Sequence, residues 1–310
     1  MPLSEADLLV DRRRLKRQVS LWRTGAIILA LAVIGVLVAR STGLVGPAYI
    51  ARLSVSGVII DDPRRIRALE DVAEDPKAKA LIVRIDSPGG TVVGGESLFR
   101  QLRTVAGRKP VVAVLGQTAA SGGYMTALGA DWIVAREGTI TGSIGVLMQT
   151  TDVTGLLEKL GVSMEQIKSS PLKAVPNPFE PLTDEGRRAV RSLIDDTYDL
   201  FVGMVADRRK LERDAALKVA DGRVFTGRQA KALGLVDQLG GEEAARTWLE
   251  SERKIQPGLD VREVKPPRAE DGWLDIATRV GAVMTGKSYL PERLTLDGLV
   301  ALWHPDLRSR

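Results

Sequence analysis

Two hydrophobic periods alternate along the middle of this 310-residue chain. Leu81–Ile85, Val111–Leu115 and Trp132–Ala135 are short apolar runs rich in β-branched residues, which predicts strands. Between and beside them Ile66–Glu74, Gly94–Val105 and Gly122–Leu128 follow a helical pattern. The alternation predicts βα units in an α/β domain. Beyond Pro171–Pro181, a proline-rich loop, a long helix is expected from about Thr183 to Arg209, with Asp184 and Glu185 in its first turn. Its apolar positions Val190, Leu193, Ile194, Phe201, Val202 and Val205 fit one face, for the core or, second, for a subunit contact. Residues 251–270 are charged, contain Pro266-Pro267, and suggest a flexible link to a C-terminal tail.

One further apolar stretch has no amphipathic period. Thr24–Ala39 is uncharged and follows the basic cluster Arg12-Arg13-Arg14-Leu15-Lys16-Arg17. Extended by Leu21 and Trp22 on one side and by Leu44 and Val45 on the other, it predicts a transmembrane signal anchor over residues 21–45. Residues 1–20 are then cytoplasmic, and the chain after about residue 46 lies outside. A cleaved signal peptide and a buried core helix are the alternatives. The small-residue site Ser41-Thr42-Gly43 is a weak match to the former, and the all-round apolar character argues against the latter.

The formal net charge is +5, but residues 1–40 hold seven Lys/Arg against three Asp/Glu, so the remainder is nearly neutral. That distribution gives little support to nucleic-acid binding. Zero cysteines exclude disulfides and thiolate metal sites, and a single histidine, His304, makes a histidine-built metal site implausible. No cofactor is expected. Gly281–Ser288 matches a phosphate-binding loop letter by letter, yet Pro291 follows closely and too little chain remains for a nucleotide domain. No nucleotide is expected either.

Candidate chemistry centres on Ser121, in Thr118-Ala119-Ala120-Ser121-Gly122-Gly123. A serine needs a base to become a nucleophile, and the near-absence of histidine points to lysine. Lys168 and Lys173 flank Ser169-Ser170-Pro171, and spacing alone does not choose between them. Asp86-Ser87-Pro88-Gly89-Gly90 follows the first strand as a glycine-rich turn whose N–H groups could hold an oxyanion. Parallel neighbouring strands would bring this turn and the Ser121 turn to one carboxyl edge of the sheet.

The ordered set Asp86–Gly90, Ala120–Tyr124, Thr141–Gly145, Gly222–Gly227 and Ala230–Asp237 resembles the signal peptide peptidase A family of bacterial membrane-bound Ser-Lys proteases, over about residues 50–250. Ser-Pro-Gly-Gly alone is shared with Clp-type proteases and the crotonase group; the length resembles the short, single-repeat form. The resemblance implies a ClpP/crotonase-like repeated ββα domain at 46–250, a C-terminal extension at 251–310 and a homo-oligomer. It implies Ser121 as nucleophile, Lys173 as general base, Ser143 orienting the lysine, and Gly90 and Gly122 as oxyanion-hole donors. The implied substrates are remnant signal peptides at the bacterial inner membrane, cut on its extracytoplasmic side. The rival readings are a crotonase-type acyl-CoA hydratase or isomerase and a non-catalytic membrane scaffold.

Overall fold

The computed structural model describes residues 17–34, 46–266 and 300–302. Residues 17–34 form helix α1, Arg17–Ile34, of mean hydropathy 1.3 and exposed throughout. By length and composition it could cross a membrane, spanning about 27 Å. It begins four residues before the expected anchor, whose remainder at 35–45 lies outside the described residues. So do the phosphate-loop match at 281–288 and His304.

The α/β class expected from the sequence is observed. Strand β1 (Tyr49–Ile59), helix α2 (Pro63–Glu74), strand β2 (Ala78–Thr91), helix α3 (Val92–Ala106) and strand β3 (Val111–Ala120) follow one another. The three strands pair in parallel, with β2 between β1 and β3. Leu81, Val83 and Ile85 of β2 enter one hydrophobic core, whereas Ala80 and Ile82 enter a second core on the opposite face. Because both faces are covered, the strands are continuous apolar runs. The larger core also takes Leu69 of α2, Leu98 and Leu102 of α3, and Tyr124 and Met125 of α4 (Gly122–Ala127). The smaller is closed by α9 (Glu242–Ser251), where Trp248 stacks on Trp132 of β4 (Trp132–Ala135) at 5.5 Å.

Neighbours change along β3. Val112–Leu115 pair with β4, and Thr118–Ala120 pair with β5 (Ile140–Gly142). Strand β6 (Val224–Thr226) continues the sheet antiparallel to β5, β7 (Gln238–Leu239) pairs with β4, and β8 (Asp260–Glu263) joins β1 in parallel. The last strand, β9 (Val300–Leu302), lies antiparallel to β2.

Several expectations need correction. Asp86–Gly90 is not a turn after a strand: β2 runs on through it to Thr91, with Ile59 still beside Gly90. Residues 251–270 are not only a link, since β8 adds to the sheet beyond residue 250. The apolar stripe of α6 (Asp184–Arg209) divides: Phe201, Val202 and Val205 are buried, whereas Leu193 is 49% exposed and Val190 and Ile194 are half-buried. Only the C-terminal half of α6 therefore packs on the larger core. The expected ends of α6 are observed, with Thr183 capping Gly186 N at 3.1 Å and Arg208 and Arg209 in the last turn. Helices α5 (Thr154–Lys159), α7 (Arg213–Val219) and α8 (Gly227–Ala232) were not anticipated.

Candidate active site

Ser121 stands where β3 ends and α4 begins. Its φ of 54° and ψ of −117° fall outside the regions open to ordinary residues. Holding a serine there costs about 1–3 kcal/mol, which the surroundings must offset. Two backbone hydrogen bonds fix it: Ser121 N donates to Gly142 O at 2.8 Å, and Met125 N donates to Ser121 O at 2.8 Å. The side chain does not cap α4, and its Oγ makes no hydrogen bond among the described residues. Gly122 N–H, in the first helical turn, has no intrahelical acceptor. A hydroxyl without a hydrogen bond among the described residues and an amide without an intrahelical acceptor thus adjoin on a buried (1% exposed) but rigidly held corner.

The glycines of β2 lie against this corner. An irregular register, Ile85 opposite Leu115 but Ser87 opposite Ala119, lets β3 depart from β2 at Ser87. Asp86 Oδ1 accepts from Thr118 N at 3.0 Å and so holds the approach to Ser121. Ser87 is buried, its Oγ accepting from Gly89 N at 3.0 Å. Gly89 has φ 114°, which favours glycine. At Gly90 a Cβ would lie 1.8 Å from Ile59 O, so no side chain fits. Gly123 approaches Ser87 O closely enough that an added Cβ would stand at 3.0 Å.

Ser143 is brought to the same corner. Gly142, opposite Ala120 in the ladder, has φ 85°, and Ser143 follows with φ 50° at 8% exposure. Ser143 N donates to Arg223 O at 2.8 Å, which draws Gly222–Gly227 alongside as β6. Four of the five predicted site residues, Ser121, Ser143, Gly90 and Gly122, therefore lie on adjoining strands and helix of one sheet edge.

Lys173 is the exception. It is exposed on the 171–181 loop, and its ammonium makes no hydrogen bond or ion pair among the described residues. Ala174 next to it takes φ 60°. Lys168, by contrast, is ion-paired with Glu180, which also accepts from Asn177 Nδ2 at 2.6 Å. The Lys168 hydrogen bond holds the Glu180 carboxyl below its ordinary value. Lys168 is thus engaged in holding the loop, whereas Lys173 has no such partner among the described residues.

A support network behind the corner was not foreseen. Tyr124 OH, fully buried in α4, donates to Leu235 O at 2.8 Å, and burial pushes the phenol pKa up. Arg209 forks onto Asp237 at 2.6 and 3.0 Å and donates to Gly234 O at 2.7 Å. Burial opposes the Arg209 charge, yet the Asp237 hydrogen bonds leave its pKa raised. Arg208 donates to Leu128 O and Ala130 O, both at 2.9 Å, just past the end of α4. The C-terminal end of α6 and the Gly234–Asp237 segment thereby clamp the helix that begins at Gly122. Asp237→Ala leaves the Arg209 charge without its partner and Ile133 N without its 2.8 Å acceptor. We expect a loss of about 3–5 kcal/mol by chemical denaturation.

Among the described residues no group of three His, Cys, Asp or Glu side chains could hold a metal ion.

Comparison with known proteins gives this geometry a lineage. The model of Peptidase family S49 matches residues 103–256. A Synechocystis sp. protein that carries a provisional protease name is 44% identical over 224 residues, which cover 72% of this chain and 79% of that one. An Enterococcus faecium protein with a provisional signal peptide peptidase name is 34% identical over 220 residues; the alignment covers 66% of this chain and just under two thirds (64%) of that protein. Among solved structures, a membrane-bound stomatin-specific protease is 15% identical with a TM-score of 0.46, covering 72% of this chain and 100% of that one. On the match to its family model and the Synechocystis relative, the chain belongs to Peptidase family S49.

Proposed function

We propose that this protein is a membrane-anchored serine endopeptidase with a Ser121–Lys173 dyad that degrades remnant signal peptides. The observation that carries the reading is Ser121 itself: a hydroxyl without a hydrogen bond among the described residues, held at φ 54° at a helix start that its side chain does not cap. Ser121 Oγ attacks the peptide carbonyl while Lys173 Nζ, as the free amine, takes its proton. The N–H groups of Gly90 and Gly122 hold the resulting oxyanion. Collapse expels the amine, which receives the proton from Lys173, and leaves an acyl ester on Ser121. Water, deprotonated by the same lysine, then hydrolyses that ester. Ser143 orients the lysine amine.

Two further features support the setting. The exposed apolar helix α1 suits a bilayer better than water, and a retained anchor places the enzyme where remnant signal peptides stay. In this reading the N-terminus is cytoplasmic and the catalytic domain lies on the far side of the bacterial inner membrane. The chain from 147 to 172 leaves Leu156, Leu160 and Met164 exposed and Ile167 96% exposed, with α5 burying nothing. Copies of the chain assembling as a homo-oligomer would cover such residues. Ser121 and Lys173 share no hydrogen bond within one chain, so the reading places their contact in the working assembly.

The test is turnover by the full chain in detergent. A synthetic apolar signal peptide should be cleaved and an acyl-CoA left unchanged, with His304→Ala within about twofold of the parent. Failure to cut the peptide, or a loss of more than about tenfold in His304→Ala, would sink the reading.

A further inference from the structure

Lys173 stands on a loop that is tied down on both sides of it. Lys173 N donates to Ser170 O at 3.1 Å, and Ala174, on the other side, takes φ 60°, a conformation disfavoured for a residue with a Cβ. The carbonyl of that alanine accepts from Asn177 Nδ2 at 2.9 Å. The same amide nitrogen donates to Glu180 at 2.6 Å, and Glu180 is held in turn by Lys168. Asn177 Oδ1 accepts from Phe179 N at 2.9 Å and from Gln166 Nε2 at 3.2 Å. Both donors and both acceptor positions of one half-buried side chain are therefore engaged. The loop so gathered is also fixed to its neighbours. Val153 N, just before α5, donates to Pro178 O at 3.0 Å. At Gly186, in the first turn of α6, an added Cβ would stand 2.7 Å from Val175 Cγ1.

We propose that Asn177 is a positioning residue for the general base: its side chain holds the Ala174 carbonyl, and with it the direction in which the Lys173 side chain leaves the loop. The inference rests on the Ser121–Lys173 reading for its catalytic consequence, though not for the loop geometry. A base works only within hydrogen-bond reach of the proton it takes. Lys173 has a long flexible stem, so the backbone from which that stem starts must be fixed. A left-handed alanine persists only while its surroundings hold it, and the bond from Asn177 falls on its own carbonyl. The residue type fits the task. Aspartate has the same shape and keeps both acceptor bonds, but it has no N–H for Ala174 O and sets a second carboxylate against Glu180. Lys168 and Glu180 act one step further out, through the amide, so their loss should matter less than its own.

The test uses the full chain in detergent with Asn177→Asp, Asn177→Ala, Lys173→Ala and the Lys173→Ala/Asn177→Asp pair. Each Asn177 variant should lower kcat for an apolar peptide by about 30–100-fold with KM within about threefold, the size expected when a base is misplaced by roughly an ångström. In the Lys173→Ala background, Asn177→Asp should change the residual rate by less than about twofold, because a residue that acts through the base has nothing left to act on. Independently of activity, amide exchange at Lys173, whose N–H is bonded to Ser170 O, is followed in the Ser121→Ala chain. It should quicken at least about tenfold with Asn177→Asp, while exchange in β2, β3 and the C-terminal half of α6 stays as it was. A full-sized loss in the Lys173→Ala background would overturn the proposal, since Asn177 would then serve the fold or the substrate directly. A kcat within about threefold of the parent in both Asn177 variants would overturn it too. Unchanged exchange at Lys173 would overturn the holding role whatever the enzyme does. If Lys173→Ala cleaves at the parent rate, the dyad reading fails instead, and the exchange data still decide whether Asn177 holds the loop.

Discussion

Replacing Ser121 by alanine should lower kcat against an apolar peptide by roughly 10⁴–10⁶-fold while leaving the fold intact. Both halves follow from the geometry. The Oγ makes no hydrogen bond among the described residues, so its removal orphans no partner. Alanine has the same Cβ and meets the same cost at φ 54°, already offset by Ser121 N–Gly142 O and Met125 N–Ser121 O. The melting temperature should therefore stay within about 2 °C, since a change below about 0.5 kcal/mol moves it no further. In the proposed mechanism, residual turnover would come from the Gly90 and Gly122 N–H groups, which the substitution does not touch. A drop in activity accompanied by unfolding would mean that Ser121 is a structural residue of the corner.

The second large effect is expected at lysine, where two candidates give opposite outcomes. Lys173→Ala should cost about 10³–10⁵-fold in kcat, because without a base the hydroxyl is a weak nucleophile. Lys168→Ala should cost about tenfold at most, through loosening of the loop that Lys168, Glu180 and Asn177 hold together. A reversal of the two would assign the base to Lys168. The dyad also requires activity to rise as pH is raised, since only the free amine accepts a proton. Acid has a separate effect. Glu180 is lowered in the folded state, so its contribution to loop order is present above its unfolded value and fades as pH falls through the folded one. Limited proteolysis of the 168–180 loop should accordingly quicken in that acidic range.

Residues whose environment is set by local sequence were legible in advance. The runs at 81–85, 111–115 and 132–135 are strands because each is apolar enough for a sheet covered on both faces. The ends of α6 were marked by Thr183, Asp184 and the closing arginines. What could not be read were features that exist only through neighbours. Pro88-Gly89-Gly90 reads as a turn, since proline and glycine disfavour strands, yet Ile59 on one side and Ala301 on the other keep it extended. The stripe on α6 has one period throughout, and nothing in that period says that Leu193 stays in water while Phe201 does not. Tyr124, Arg209 and Asp237 are separated by many residues and meet only once the sheet is built. Asp237 did stand in one of the recognised motifs, and an acid closing an apolar Gly-Leu-Val segment was a signal that something would partner it. The site divides the same way. The Ser121 turn and the Asp86–Gly90 segment were placed at one edge because their strands are neighbours, whereas Ser143 and Lys173 came only from the family resemblance, and Lys173 sits on a loop whose place no periodicity sets.

The central claim is that Ser121 is the nucleophile, and covalent capture tests it most directly. The full chain in detergent is treated with a fluorophosphonate, digested, and the phosphonyl adduct is located by mass spectrometry. The adduct should lie on Ser121, be lost in Ser121→Ala, and be strongly slowed in Lys173→Ala. An adduct on any other residue, or labelling that persists in Ser121→Ala, would contradict the account.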